Sequence, residues 1–165
     1  MDSNLLSDWL TYINSNRPDE GEVGLDRLQS IFSKIIKQSL GKKTILVAGT
    51  NGKGTTVEYL KNFLLEAGYS TGTYTSPHLI QFNERIQING NHVDDTRIVN
   101  AFKKIEKLKK DTRLTYFDYV TLAAFDIFAS EELDFVIMEI GIGGKYDPVN
   151  LINSDISIIT NIEMD

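Results

Sequence analysis

The sequence contains no cysteine, which excludes disulfide bonds, thiolate metal sites and a cysteine nucleophile. Only three prolines occur among 165 residues, and no repeat or Pro/Gly-rich linker divides the chain. We therefore expect one domain without an internal boundary. A chain without cysteine suits a reducing compartment, so we expect the protein to reside in the cytoplasm.

Excess positive charge and long apolar runs are also missing. The chain has 17 basic and 23 acidic residues, and its formal net charge of −6 disfavours nucleic acids and anionic membranes as partners. No apolar run approaches the roughly 20 residues of a membrane span, and residues 1–13 lack the basic start of a secretory signal. We therefore predict no nucleic-acid and no membrane partner.

Apolar runs alternate with helical patterns along the chain. Uninterrupted apolar segments predict buried parallel strands at 44–48, 134–139 and 155–160. Apolar residues spaced three and four apart predict helices between the strands and in a helical preface over residues 1–42. The alternation predicts an α/β core at 43–165 with a P-loop and a mostly parallel, doubly wound sheet.

Local signals mark several turns and helix ends. Asn89-Gly90 inside an alternating segment predicts a type I′ hairpin. Thr115 predicts a helix N-cap that Asp118 completes, and Asp94 or Asp95 caps the preceding helix. Gly41 is expected to end the helix predicted near 25–36.

A glycine-rich turn joins the first core strand to a helix. Its sequence departs from the usual G-x-x-x-x-G-K-[ST], because Val47 replaces the first glycine and Gly54 follows Lys53. Backbone N–H groups and the helix dipole would bind phosphates, with Lys53 at the terminal phosphates and Thr55 or Thr56 at phosphate or Mg²⁺. An ordinary tight turn is the alternative. The residues predicted to bind the nucleotide are Gly49, Thr50, Asn51, Gly52, Lys53, Gly54, Thr55 and Thr56.

Polar residues follow other strands at the same predicted edge of the sheet. Glu139 closes a strand where P-loop enzymes hold Mg²⁺, and Ser76 offers a hydroxyl oxygen from a neighbouring loop. Asp147 and Asn150 lie in a glycine-rich loop beside them. Solvated strand ends and turn formation are the alternatives for all four. Lys53 and Glu139 are the candidate catalytic residues.

Other polar residues in this region favour simpler interpretations. His78 and His92 lack partners at metal-ligand spacing and are interpreted as surface residues. Residues 83–85, Asn-Glu-Arg, are interpreted as the entry to the hairpin with a local ion pair.

The motifs, in their order along the chain, resemble the N-terminal part of folylpolyglutamate synthase and dihydrofolate synthase, of the Mur ligase superfamily. The segments that carry the resemblance are GLDRL, GTNGKGTT, YTSPHLIQFNERIQING, LTYFDYVTLAAF, MEIGIGGKYDPVN and IITNIEMD. In that family the loop reads G-T-N-G-K-G-[ST], so its hydroxyl corresponds to Thr55 here.

The resemblance implies the Mur ligase central ATPase domain, incomplete, and an ATP-dependent ligase. Such an enzyme adds L-glutamate to dihydropteroate or a folate through an acyl phosphate. By resemblance, Lys53 and the loop bind ATP, Ser76 and Glu139 hold Mg²⁺, and Asp147 and Asn150, with Phe117 nearby, line the pteroate pocket. The complete enzyme is expected to be a monomer.

The chain departs from the family in a few places. Asp118 stands where the family usually has glutamate, and Pro148-Val149 replaces a pair such as Ala-Thr. The resemblance also implies that a further metal-binding histidine, a modified lysine and a C-terminal glutamate-ligase domain follow Asp165, so this chain alone is expected to be inactive. Another Mur-type ligase, such as a UDP-muropeptide ligase, and a non-catalytic nucleotide-binding or structural module are the alternatives.

Overall fold

The computed structural model describes residues 1–15, 24–37, 39–141 and 143–163. Met164 and Asp165, which end the IITNIEMD segment, lie outside the described residues. The helices are α1 (Leu6–Ser15), α2 (Asp26–Ile35), α3 (Lys53–Glu66), α4 (Asp95–Lys109) and α5 (Tyr116–Ala129). The strands are β1 (Lys43–Ala48), β2 (Thr71–Tyr74), β3 (Ile86–Ile88), β4 (Asn91–His92), β5 (Phe135–Glu139) and β6 (Ile156–Ile159). Short 3₁₀ helices occupy Phe82–Arg85 and Pro148–Leu151.

The strands form one sheet in the order β4-β3-β2-β5-β1-β6. The strands β2, β5, β1 and β6 are parallel, whereas β3 and β4 form an antiparallel hairpin at one edge. Asn89 and Gly90 both have positive φ, 49° and 76°, as a type I′ turn requires. The predicted mostly parallel α/β sheet and its hairpin are confirmed.

The two faces of the sheet enter separate apolar clusters. Leu46, Val136 and Met138 pack into the larger cluster, to which α1, α2, α4 and α5 contribute. Ile45 and Val47, which alternate with Leu46 along β1, pack instead in the smaller cluster against α3. None of the helices in the described parts of the chain has the length and apolar character to cross a lipid bilayer.

Side-chain caps fix the helices that precede the site. The Thr115 hydroxyl accepts from Asp118 N, and the Asp118 carboxylate accepts from Thr115 N, which is the predicted capping box. The same carboxylate pairs with Arg27 of α2 at 2.6 Å. Asp118 therefore joins α2 to the start of α5, besides capping α5. Asp94, of the two candidates, caps α4.

The prediction that Gly41 ends the second helix is wrong. Helix α2 ends at Ile35 with Ile36 as its C-cap, well before Gly41. A Cβ atom at Gly41 would lie 3.1 Å from both Leu133 O and Val136 Cγ2. The glycine is therefore explained by close packing against the segment around β5.

Candidate functional site

The phosphate loop, residues 49–56, leaves β1 and ends in the first turn of α3. Gly52 is the N-cap with a φ of 79°, and no side chain caps this helix end. The first N–H groups of an α-helix have no partner inside the helix, and the helix dipole adds partial positive charge there. This helix end is therefore suited to an anion such as a phosphate group.

The ammonium group of Lys53 lies against the same loop. Its Nζ atom donates to Gly49 O at 2.8 Å and to Thr50 O at 3.2 Å. The two threonines differ, because Thr56 Oγ1 donates to Gly52 O at 2.9 Å, whereas the exposed Thr55 hydroxyl has no hydrogen bond among the described residues. Thr55 is thus the hydroxyl that remains available to a ligand, in agreement with the loop pattern.

The segment after β6 braces the phosphate loop. Asn161 accepts from Thr50 N through its carbonyl oxygen at 2.8 Å and from Asn51 N through Oδ1 at 2.9 Å. Thr160 Oγ1 donates to Asn51 O at 2.6 Å. Gly49 has a φ of 132°, and a Cβ atom there would lie 2.1 Å from Thr160 Oγ1. Sequence reasoning missed the roles of Thr160 and Asn161, although they directly follow a strand that ends at the predicted binding edge.

A cleft of about 640 Å³ opens beside the loop. The exposed apolar side chains of Ile159 and Ile162 form part of its wall. The cleft is lined by Ala48, Gly49, Thr50, Asn51, Lys53, Ile140, Gly143, Gly144, Ile159 and Ile162. It therefore joins the polar loop to an apolar surface, a combination that suits a nucleotide.

Glu139 closes β5 directly beside the start of α3. Its side chain is buried, with 3% of the residue exposed, and Oε2 accepts from Ser76 N at 3.2 Å. A Cβ atom at Gly54 would lie 3.7 Å from the same oxygen. Burial raises the pKa of Glu139, while the Ser76 N–H group and the charges of Lys53 and Arg85 act in the opposite direction. The fold thus brings Glu139, Ser76 and the phosphate loop together.

The oxygen atoms around Glu139 suit a hard divalent cation. A buried carboxylate with one N–H partner is incompletely compensated, and a cation would offset the cost of its burial. Within the described ranges, no group of three or more His, Cys, Asp or Glu side chains is placed to hold a metal. A site with few protein ligands suits Mg²⁺, because this ion usually keeps several water molecules and also binds substrate phosphates.

Phe117, Ser76 and Asp147 surround Gly141 at this edge. A Cβ atom at Gly141 would lie 3.1 Å from Ser76 Oγ and 3.5 Å from both Phe117 Cε1 and Asp147 Oδ2. The Asp147 carboxylate also accepts from Gly141 N at 2.8 Å and from Val149 N at 2.9 Å. Phe117, Asp147 and Ser76 therefore share one neighbourhood, in which Asp147 also orders the loop.

The rest of that loop accounts for Pro148 and Val149. Pro148 begins the 3₁₀ helix Pro148–Leu151, where its fixed φ is favourable, and Val149 is fully buried. The Asn150 amide donates to Gly144 O and so braces the glycine-rich turn. Contact of Asp147 and Asn150 with a substrate stays a prediction.

The interpretation of residues 83–85 as a local ion pair is wrong. The Glu84 carboxylate accepts from the backbone N–H groups of Leu79, Ile80 and Gln81. Arg85 is buried instead, and its Nε atom donates to Nδ1 of the half-buried His78 at 2.8 Å. Of the two histidines interpreted as surface residues, His92 is exposed and His78 is half-buried.

Comparisons with known proteins identify the family of this chain. The Mur ligase middle domain matches residues 47–165. The dihydrofolate synthase/folylpolyglutamate synthase of Escherichia coli (strain K12) is 36% identical over 160 residues, which are 97% of this chain and 38% of that protein. The resemblance predicted from the sequence is confirmed.

Two solved structures show the same architecture. E. coli FolC in complex with DHPP and ADP matches with a TM-score of 0.94 and 36% identity, over 99% of this chain and 39% of that one. A bifunctional folylpolyglutamate synthase/dihydrofolate synthase with Mn, AMPPNP and L-glutamate bound matches with a TM-score of 0.91 and 37% identity, over 99% and 39%. The chain thus spans less than half the length of these relatives.

Proposed function

We propose that this chain, which belongs to the Mur ligase middle domain family, is part of an ATP-dependent ligase that joins L-glutamate to dihydropteroate or to a folate. The observation that carries the proposal is the convergence of the α3 N-terminus, Lys53 and the Glu139–Ser76 pair at one edge of the sheet. The relatives that hold ADP, DHPP and L-glutamate support it. Because the chain spans 38% of its E. coli relative, the activity belongs to the complete protein.

The proposed reaction has two steps. An oxygen of the acceptor carboxylate attacks the γ-phosphorus of ATP, the bond from that phosphorus to the ADP oxygen breaks, and an acyl phosphate forms. The amino nitrogen of glutamate then attacks the acyl carbon, inorganic phosphate leaves with the carboxylate oxygen, and the nitrogen loses a proton. A carboxylate is a poor electrophile, so its phosphorylation supplies the leaving group. The enzyme's main task is then positioning and charge stabilisation.

The phosphate loop and the neighbouring oxygens divide that task. We propose that N–H groups of the loop and of the first turn of α3 bind the ATP phosphates, that Lys53 stabilises the transferring charge and that Thr55 contacts phosphate or the metal. Ser76 and Glu139 would hold Mg²⁺, which when bound supplies positive charge to the phosphoryl groups. The manganese bound in a relative supports the binding of a divalent ion by the complete protein.

The acceptor side is formed by the elements around Gly141. We propose that Phe117 contacts the ring system of the acceptor and that Asp147 and Asn150 contact its polar edge or order the loop that does. The remaining length of the complete protein would supply the C-terminal glutamate-ligase domain. We also propose that the complete protein acts in the cytoplasm without nucleic acid or membrane partners, which the cysteine-free, acidic composition of this chain supports. We further propose that it acts as a monomer.

A substrate panel tests the proposal. The complete protein, supplied with ATP and Mg²⁺, is assayed for ADP release with dihydropteroate, a folate or a UDP-muropeptide, each with and without L-glutamate. We expect ADP release that depends on both L-glutamate and a pterin acceptor. ADP release with the muropeptide but with neither pterin acceptor would instead identify another Mur-type ligase. Nucleotide binding without turnover on any acceptor would identify a non-catalytic module.

A further inference from the structure

Arg85 is a buried cation beside the site. It ends the 3₁₀ helix Phe82–Arg85, and 5% of the residue is exposed. Its guanidinium lies 5.6 Å from the ring centroid of Tyr116 and 5.9 Å from that of Phe82. The two rings hold the guanidinium in a partly apolar environment, where a charge is stabilised by few other groups.

In the described part of the chain, no carboxylate lies within ion-pair distance of Arg85. Its Nε atom donates to His78, but Nη1 is buried and has no hydrogen-bond partner among the residues that the structure describes. Across the described ranges, none of the ion pairs within 4.0 Å includes this residue. Arginine keeps its charge in proteins, so the burial of this unpaired group is costly unless a ligand compensates it.

Arg85 has neighbours both near the Glu139–Ser76 pair and near the residues around Gly141. Its carbonyl oxygen accepts from Thr75 N at 3.0 Å, and the next residue, Ser76, donates to Glu139. On the other side, Tyr116 lies under the guanidinium and precedes Phe117, which is near Gly141. The charge of Arg85 also acts on Glu139, where it lowers the pKa against the effect of burial. Arg85 thus lies between the Glu139–Ser76 pair and the proposed acceptor side.

We propose that Arg85 binds the carboxylate of the acceptor, the group that receives the phosphoryl group, through Nη1. This inference rests on the proposed function. A planar guanidinium matches the geometry of a carboxylate, and the guanidinium of Arg85 lies over the ring of Tyr116. In the proposed function the ATP phosphates take the phosphate loop and Lys53 as partners. Arg27 also has a buried atom without a hydrogen-bond partner among the described residues, but its charge is already paired with Asp118 at 2.6 Å. Arg85 is therefore the buried cation that is left for the acceptor. The acceptor carboxylate must also reach this region to meet the γ-phosphate.

The test combines a change in the protein with a change in the ligand. Arg85→Met keeps an unbranched apolar side chain beside the rings and removes the charge. Binding of dihydropteroate and of its carboxamide analogue is measured by calorimetry on the complete protein with AMPPNP and Mg²⁺ present. Arg97→Met, which removes a surface arginine paired with Glu131, is the control. Arg85→Lys tests whether charge alone restores part of the binding.

We expect Arg85→Met to weaken binding of the carboxylate by about 10- to 100-fold, the loss typical of a hydrogen bond to a charged group, and to leave the uncharged carboxamide within about twofold. Arg85→Lys should recover part of the difference, and Arg97→Met should show none of the loss. Equal weakening of both pterin ligands, or no weakening of either, would overturn the inference. If the unaltered protein binds neither pterin ligand, the proposed function itself fails and the inference fails with it.

Discussion

The two ends of the parallel strands form opposite edges of the sheet, and their charged side chains are compensated in different ways. At the edge where the strands begin, Asp134 pairs with Lys42 at 2.8 Å and also accepts from Ser70. Asp155 similarly pairs with Lys43 at 2.8 Å. Hydrogen bonding to Lys42 lowers the pKa of Asp134 to about 2. These charges are compensated within the protein and connect the segments that precede neighbouring strands.

At the edge where the strands end, the charges lack such compensation. Glu139 has an N–H partner but no cation within ion-pair distance among the described residues, and burial raises its pKa. Arg85 at this edge has a buried Nη1 atom with no hydrogen-bond partner in the described part of the chain. Incomplete compensation at buried sites is typical of groups that bind ligands. This difference supports the proposal that the carboxyl ends of the strands bind charged ligands, whereas the charge pairs at the opposite ends stabilise the fold.

Cavity size alone would have pointed to the wrong edge. The depression near Lys42 and Asp134 has a volume of about 930 Å³, which exceeds the 640 Å³ of the cleft beside the phosphate loop. Its charged side chains include the Lys42–Asp134 pair already described. The state of the charges, rather than the volume, therefore distinguishes the candidate site.

The largest expected effect is that of Lys53→Ala in the complete protein. We expect kcat to fall by roughly 10²-fold or more, as after the loss of comparable groups that stabilise charge in a transition state. Steady-state assays of ADP release measure the effect, with the exposed Lys107→Ala as the control. A change below about twofold would remove Lys53 from the proposed chemistry and weaken the contrast between the edges.

Glu139→Gln is expected to have the next largest effect. The substitution keeps the size of the side chain and removes the charge that would hold Mg²⁺. We expect kcat to fall by about 10²-fold, with half-maximal activity at a higher Mg²⁺ concentration. A Mg²⁺ titration of activity checks this, with the exposed Glu132→Gln as the control. An unchanged Mg²⁺ dependence would contradict the metal role of Glu139.

Asp134→Asn should affect stability and leave kcat unchanged. Because the folded protein lowers the pKa of Asp134, its contribution is present above the unfolded pKa and is lost as the pH falls through the folded value of about 2. We therefore expect a lower free energy of unfolding at pH 7 and a smaller difference from the parent as the pH decreases from about 4 towards 2. Urea unfolding at several pH values measures this, with the exposed Asp111→Asn as the control. A loss of kcat without loss of stability would reverse the roles assigned to the two edges.

Features encoded by neighbouring residues could be predicted from the sequence. The Asn89-Gly90 turn, the Thr115–Asp118 cap and the strand-to-helix phosphate loop each depend on a few consecutive positions. The convergence of the loops at one edge follows from the parallel direction of the strands. These local patterns therefore predicted both the sheet and the place of the candidate site.

Features that depend on distant contacts could not be predicted in this way. Arg85 is buried because Tyr116 and Phe82 enclose it, and Gly41 is needed because Leu133 and Val136 approach it closely. The pattern of apolar residues around Arg85 and Gly41 does not indicate these distant neighbours. Thr160 and Asn161 brace a loop that lies more than a hundred positions earlier in the chain, as the separation of 109 for Thr160 and Asn51 shows.

Transfer of an oxygen-18 label from the acceptor to phosphate reveals whether an acyl phosphate forms. The complete protein is given ATP, L-glutamate and an acceptor whose carboxylate carries oxygen-18, and the released phosphate is analysed by mass spectrometry. We expect one labelled oxygen in each phosphate, because the carboxylate oxygen leaves with the phosphoryl group. Amide product accompanied by unlabelled phosphate would contradict an acyl phosphate formed at this site.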